Sequence, residues 1–239
     1  MSQKTWVSNM KVAVCYSGML RNLMVNFDNH NEYFLSKYDC DIFLDLWDVY
    51  GYGTYEKRYD SFSEDKITEE DKKNIIEKIK PKDYRFEEFK TMESFFDYKE
   101  KTIDPKRSNV PPYPKNILSM FYKIKKCGEL VKRNHVEYDV IVKTRCDLFH
   151  KEEINLEQPK DNTIYVNEID GWGVSAVGDR FLYGNPKTME ILHSTYDNVE
   201  NLWLNRISIL SAPEHVLYTH LNENNLIIDK KPIWLEILS

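Results

Sequence analysis

Residues 138–150, YDVIVKTRCDLFH, pass from an unbroken apolar stretch straight into two cations, a cysteine and an acid. Val140, Ile141 and Val142 show no polar alternation, which reads as a central parallel strand covered on both faces. Lys143, Arg145 and Asp147 share parity, so an extended backbone points them to one side. In an open parallel sheet, ligands bind beyond the carboxyl ends of the strands. The stretch therefore predicts an α/β protein whose polar mouth lies where this strand runs out.

The flanking sequence has the same character. After Pro114, KNILSMFYKIKKCGELVKRN repeats Ile117, Leu118, Phe121, Ile124, Leu130 and Val131 on one face of a helix that leads into the strand. Nearer the start, KVAVCYSG is a short β-rich run that stops at Ser17-Gly18. MLRNLMVNFDNHNEYFLSKY then spaces Leu20, Leu23, Phe27, Phe34 and Tyr38 as a helix, and DIFLDLWD gives a second strand over 41–47. Strand, helix, strand implies parallel pairing with a right-handed crossover.

Thr68 and Asp71 form a capping-box pattern ahead of Ile75, Ile76 and Ile79, and Pro81 closes that helix. A third strand is expected near 84–89. About 91–114, charged, aromatic and ending in NVPPYP, reads as a long irregular connection. Beyond the central strand come a strand at TIYV, a glycine-punctuated loop IDGWGVSAVGDR, a helix over about 186–202, another over about 213–222 and a last strand at LIID. The whole is expected to be a single domain over residues 1–239, an α/β/α sandwich around a mostly parallel sheet.

Composition narrows the function. With 239 residues the chain can bury a large core, and 33 Lys plus Arg against 39 Asp plus Glu give a net charge of −6. That charge disfavours broad capture of a nucleic-acid backbone. Cys15, Cys40, Cys127 and Cys146 form no CxxC pair, so reduced thiols and a cytoplasmic setting are expected. No signal peptide or transmembrane segment is expected. His215 and His220 are five apart and the other histidines stand alone, which argues against a zinc centre. GxGxxG, GxxxxGK[ST] and GxSxG are all absent.

Ser17 and Gly18 opening a helix, with Arg21 one turn on, offer backbone N–H groups and a planar cation to a phosphate. The competing reading is an ordinary strand-to-helix turn. In order, AVCYSGMLRNL, DIFLDLWD, NILSMFYKIKKCGELV with YDVIVKTRCDLFH, and GWGVSAVGDRFLYGNPKTMEIL resemble GT-A type nucleotide-sugar glycosyltransferases. These are of the kind found in bacterial polysaccharide loci and in large DNA viruses. The likeness spans roughly Lys11 to Leu221.

The resemblance implies a GT-A-like fold that transfers a sugar from a nucleoside diphosphate sugar to a glycan or glycoconjugate hydroxyl, in the host cytoplasm if the protein is viral. It implies that Ser17, Gly18 and Arg21 bind the nucleotide and that Lys143 and Arg145 lie near the diphosphate. Asp147 would take the place of the metal-binding DxD carboxylate, with Mn2+ or Mg2+. Positions 145–147 read Arg-Cys-Asp, so the first acid of that motif is missing. Asp179 is the expected catalytic base of an inverting transfer, with Asp170 and Glu214 as reserves, and Trp172 is expected to stack on the acceptor. A sugar nucleotidyltransferase and a non-catalytic nucleotide- or glycan-binding module are the competing readings.

Overall fold

The computed structural model describes residues 10–52, 62–103, 114–168, 175–204 and 212–237. Its strands are β1 (Lys11–Gly18), β2 (Asp39–Trp47), β3 (Val49–Tyr52), β4 (Phe62–Lys66), β5 (Asp83–Glu87), β6 (Val140–Thr144), β7 (Leu148–His150), β8 (Thr163–Asn167), β9 (Phe181–Gly184), β10 (Ile227–Lys231) and β11 (Leu235–Ile237). The helices are α1 (Leu23–Tyr33), α2 (Glu69–Ile79), α3 (Phe89–Ile103), α4 (Pro114–Arg133), α5 (Pro186–His193), α6 (Thr195–Leu204) and α7 (Pro213–Glu223).

Seven strands form one sheet in the order β10-β8-β9-β6-β1-β2-β5. All pairings in it are parallel except those of β9, which runs antiparallel to both β6 and β8. β11 pairs with β7, and β3 with β4, as small antiparallel sheets. The protein is thus α/β with a large, mostly parallel central sheet.

Alternation along the strands divides the core in two. Val12, Val14, Ile42, Leu44, Val140 and Val142 pack with Leu23, Phe27, Ile75 and Ile79 on the α1 and α2 side. Ala13, Cys15, Phe43, Trp47 and Ile141 pack with Phe121, Ile124, Leu130, Leu192 and Leu217 on the side of α4 to α7. Helices therefore cover both faces, and every residue of β6 is buried, as an unbroken apolar run requires.

Two expectations need correction. The segment over about 91–114 is not irregular throughout: Phe89–Ile103 is helical, while 104–113 lies outside the described residues. Phe89, Met92 and Phe96 share one helical face, and Phe89 and Phe96 pack edge-on against Trp47 at 5.3 and 6.0 Å. The helix expected over about 186–202 is two helices, broken at Ser194. The tyrosine- and glycine-rich segment after Trp47 contributes β3 and β4, a hairpin that folds back so that Met19 lies against Gly51, where a Cβ would stand 2.3 Å from the Met19 sulfur.

The capping box forms as expected: Asp71 N–H donates to Thr68 Oγ1 at 3.1 Å, and Thr68 N–H to Asp71 Oδ2 at 2.9 Å. No helix among the described residues is long and apolar enough to cross a membrane.

Candidate functional site

β1 leads to β2 on one side of itself in the sheet, while its other neighbour is β6. The strand order therefore reverses at the β1/β6 boundary, and a crevice at such a switch point, beyond the carboxyl ends, is where open α/β sheets bind ligands. The loops leaving β1 and β6 meet there.

The β1 loop is shaped by backbone conformation. Gly18 has φ +107°, and a Cβ built on it would meet nothing within 4 Å, so the chain there is bare toward open space. Arg21 takes the left-handed conformation at φ +47°, uncommon for a residue with a side chain. Its N–H donates to Tyr50 O of the folded-back hairpin at 2.9 Å, which holds it in place.

From the β6 side, Arg145 and Asp147 turn into the same crevice. Arg145 Nε and Nη2 donate to the two oxygens of Asp147 at 2.9 and 2.8 Å, and Arg21 Nη1 donates to Asp147 Oδ2. Burial alone would raise the Asp147 carboxyl, but Arg145 and then Arg21 outweigh it and hold it far below the usual carboxylate range.

Lys143, only 2% exposed, donates from Nζ to the backbone oxygen of Asp179. Burial, helped by Arg145 and opposed by Asp179 and Asp147, brings its ammonium down to about 8. The Asp179 carboxylate faces Arg145 Nη1 at 3.6 Å. Burial would raise it, but Arg145, Lys143 and Arg180 together hold it below its ordinary value. α7 closes this side: Val177 N–H donates to Glu214 O at 3.1 Å, and the Glu214 side chain adds to the negative field on Arg145.

Arg21, Lys143, Arg145, Asp147, Asp179 and Glu214 thus come together as one group, with Gly18 bare at its edge. Ser17 sits at the end of β1, half-buried, in register with Asp45. Trp172 and Asp170 lie outside the described residues. Trp47, at the end of β2, is 1% exposed and belongs to the core.

The group does not fit a divalent cation at Asp147. Both of its oxygens already accept from guanidinium groups, and the described residues contain no cluster of three His, Cys, Asp or Glu side chains able to hold a metal ion. What the arrangement can do is receive an anion: an incoming phosphate oxygen can take donors from Arg21 and Arg145 that are now spent on one carboxylate.

Sequence reading missed a second charged group on the α4 face. Lys123, fully buried, donates to Asp45 Oδ1 at 2.6 Å and Glu87 Oε2 at 3.0 Å, and lies 4.1 Å from the centre of the Trp47 ring. Arg85 pairs with the other Asp45 oxygen, and Tyr122 O–H donates to Glu87 at 2.7 Å. The signal was present: Lys123 stands four residues from both Ser119 and Cys127, all on the inner face of α4.

Two cavities, of about 550 and 840 Å3, lie elsewhere, one beside β10 and one between α4 and α5 where the central strand β6 begins. No known family model matches the chain, and no curated protein is similar to it at a significant level.

Proposed function

We propose that the crevice between β1 and β6 binds the diphosphate of a nucleotide sugar, and that the protein is a GT-A-like glycosyltransferase acting on a glycan or glycoconjugate hydroxyl. The observation that carries this reading is the meeting of Arg21 with Arg145 and Asp147 at the sheet's switch point. It is supported by the order of short motifs along the sequence and by the bare backbone at Gly18.

In this reading the charge that grows on the departing nucleoside diphosphate is neutralised by Arg21, Arg145 and Lys143. The donor displaces Asp147 from part of its guanidinium contacts, so the carboxylate serves as a placeholder that keeps two cations ordered before binding. Asp179, buried and held below the ordinary carboxylate range by Arg145, is a weak base, and its part is to position Arg145. Glu214, half-buried in the first turn of α7, then becomes the carboxylate that takes the acceptor proton.

Incubation with a panel of nucleotide sugars and simple glycosides, in EDTA and with Mn2+, tests this directly. Release of free nucleoside diphosphate supports it, whereas release of pyrophosphate indicates a nucleotidyltransferase. Binding of nucleotide sugar without turnover indicates a binding module, a reading favoured only by the commitment of both Asp147 and Asp179 to Arg145.

A further inference from the structure

The larger cavity, about 840 Å3, opens between α4 and α5 where β6 begins, at the end of that strand away from the crevice. Its size suits a small organic molecule, whose pockets run to roughly 300–1,000 Å3. Val131, Tyr138 and Ile141, each 6% exposed, give it an apolar wall. The hydroxyls in that wall are already spent: Tyr138 O–H donates to Asp41 and Ser194 Oγ to Ile191 O, both at 2.8 Å.

The α4 side is a single helical stripe, with Lys125, Gly128 and Lys132 at i, i+3 and i+7. A Cβ on Gly128 would stand 2.3 Å from His193 Nδ1, so the α5 imidazole lies directly on the α4 backbone between the two lysines. Both lysines are then tied across to the next helices. Lys125 Nζ lies 2.5 Å from Asp197 Oδ1, and Lys132 Nζ 2.8 Å from Glu190 Oε1. Each ammonium group of the wall thus has its own carboxylate.

The segment leading into β6 carries the reverse. Five carboxylates line the cavity against those two ammonium groups. Of the remaining three, Glu129 is held by Lys126 at 2.8 Å, while Glu137 and Asp139 are exposed and pair with no cation among the described residues. Asp139 Oδ2 accepts the main-chain N–H of Lys11 at 2.8 Å, but the Lys11 ammonium turns instead to Asp39 and Asp41, at 3.8 and 4.0 Å.

We propose that this cavity binds a small amphipathic amine, its apolar body against Val131, Tyr138 and Ile141 and its ammonium toward Glu137 and Asp139. The apolar wall by itself accepts any small hydrophobe of the right size. The unpaired carboxylates select the cation, because an anion of the same shape meets a mouth of net negative charge. Both carboxylates face solvent, so each attraction is modest and screened by salt. The wall therefore supplies most of the affinity, and the charge supplies the choice of ligand.

Titration of the isotope-labelled full chain with tryptamine and with indole-3-propanoate tests this, since the two share a ring and differ in the sign of the chain-end charge. At neutral pH and low salt, tryptamine should shift the amides of Gly128, Val136 and Ser194 and bind more tightly than the propanoate by about fivefold or more, a difference that shrinks in high salt. The double variant Glu137→Gln, Asp139→Asn should bring the two ligands within about twofold of each other. Val136→Trp, which fills the cavity from its half-buried rim, should abolish binding of both. Equal or tighter binding of the propanoate to the wild type, no binding of tryptamine at millimolar concentration, or shifts that gather at the crevice would each overturn the proposal. The wild-type comparison and its shift map decide the matter if a variant does not fold.

Discussion

The guanidinium of Arg21 and the carboxylate of Asp147 are paired across the gap between β1 and β6, although 126 residues separate them in sequence. The pair is shared, since Arg145 holds both oxygens of the same carboxylate. Two guanidinium groups therefore spend donors on one carboxylate, at a switch point that faces open space beside Gly18. An anionic ligand can take over donors that the pair now shares, and that sharing sets the first two expectations.

Arg21→Ala should raise the Kd for a nucleoside diphosphate at least tenfold, a loss of about 1.4 kcal/mol. Thermal stability should change little, because Asp147 keeps its two bonds to Arg145 and the left-handed backbone at position 21 is equally unfavourable for alanine. Isothermal titration beside a melting curve separates the two effects. A large fall in melting temperature with unchanged affinity would assign Arg21 a purely structural role.

Asp147→Asn should tighten the binding of pyrophosphate in metal-free buffer, because it removes the negative charge that competes for Arg21 and Arg145. A carboxylate that bridged the diphosphate through a divalent ion would show the reverse, a loss of binding that Mn2+ restores only in the wild type. Titration of both proteins in EDTA and in Mn2+ distinguishes these outcomes.

The strands and most helices were legible because burial on both faces leaves an unmistakable apolar run, as at Val140–Val142. The gathering of Arg21, Lys143, Arg145, Asp147 and Asp179 was legible too, since each stands at or just beyond a strand end or before a strand start. Helix α3 was obscured because its exposed positions mix Lys90, Thr91 and Ser94 with the aromatics Phe95 and Tyr98, which blurs the apolar stripe. The engagement of Asp147 by two arginines was hidden for a different reason: ion pairing depends on how loops turn after the strands end, and parity arguments stop where the extended backbone stops. Residues 143 and 145 are not both on β6, and Arg145 already belongs to the turn.

The buried Lys123 network was equally hidden, and it has a measurable weight. Lys123→Met leaves Asp45, which is fully buried, with Arg85 as its remaining charged partner. Removing one member of a buried pair costs about 3–5 kcal/mol. Chemical denaturation should show a loss in that range, and Lys123→Met combined with Asp45→Asn should recover part of it. Additive losses in the double variant would contradict the coupling.

Lys143 gives the crevice a pH dependence. Its folded value, about 8, lies below the ordinary 10.5. The unfolded chain therefore binds more protons between these limits, and this residue's contribution to stability becomes more favourable as pH rises through that window. Ligand binding should run the opposite way, because the ammonium is the form that attracts phosphate. The Kd for a nucleoside diphosphate should rise as pH passes upward through about 8, and Lys143→Met should flatten that step. A step of the same size in the variant would assign the titration to another group.

His150 makes the opposite edge of the α1 face sensitive to acid. It is 1% exposed, both ring nitrogens lack hydrogen-bond partners, and its neighbours are His30 at 4.7 Å, Phe181 at 6.1 Å and Phe34 at 6.2 Å between ring centres. Burial, with a smaller contribution from His30, lowers it from 6.5 to about 3. Between those values the unfolded chain holds the extra proton, so stability is lost as pH falls below about 6.5. His30, also lowered chiefly by burial, adds in the same direction. His150→Phe removes the titrating group and two unsatisfied polar atoms from an aromatic cluster, at the expense of a modest increase in volume. The variant should melt at or above the wild-type temperature at pH 7, and its advantage should widen steadily toward pH 5. Parallel melting curves across that range would show that His150 does not carry the acid sensitivity.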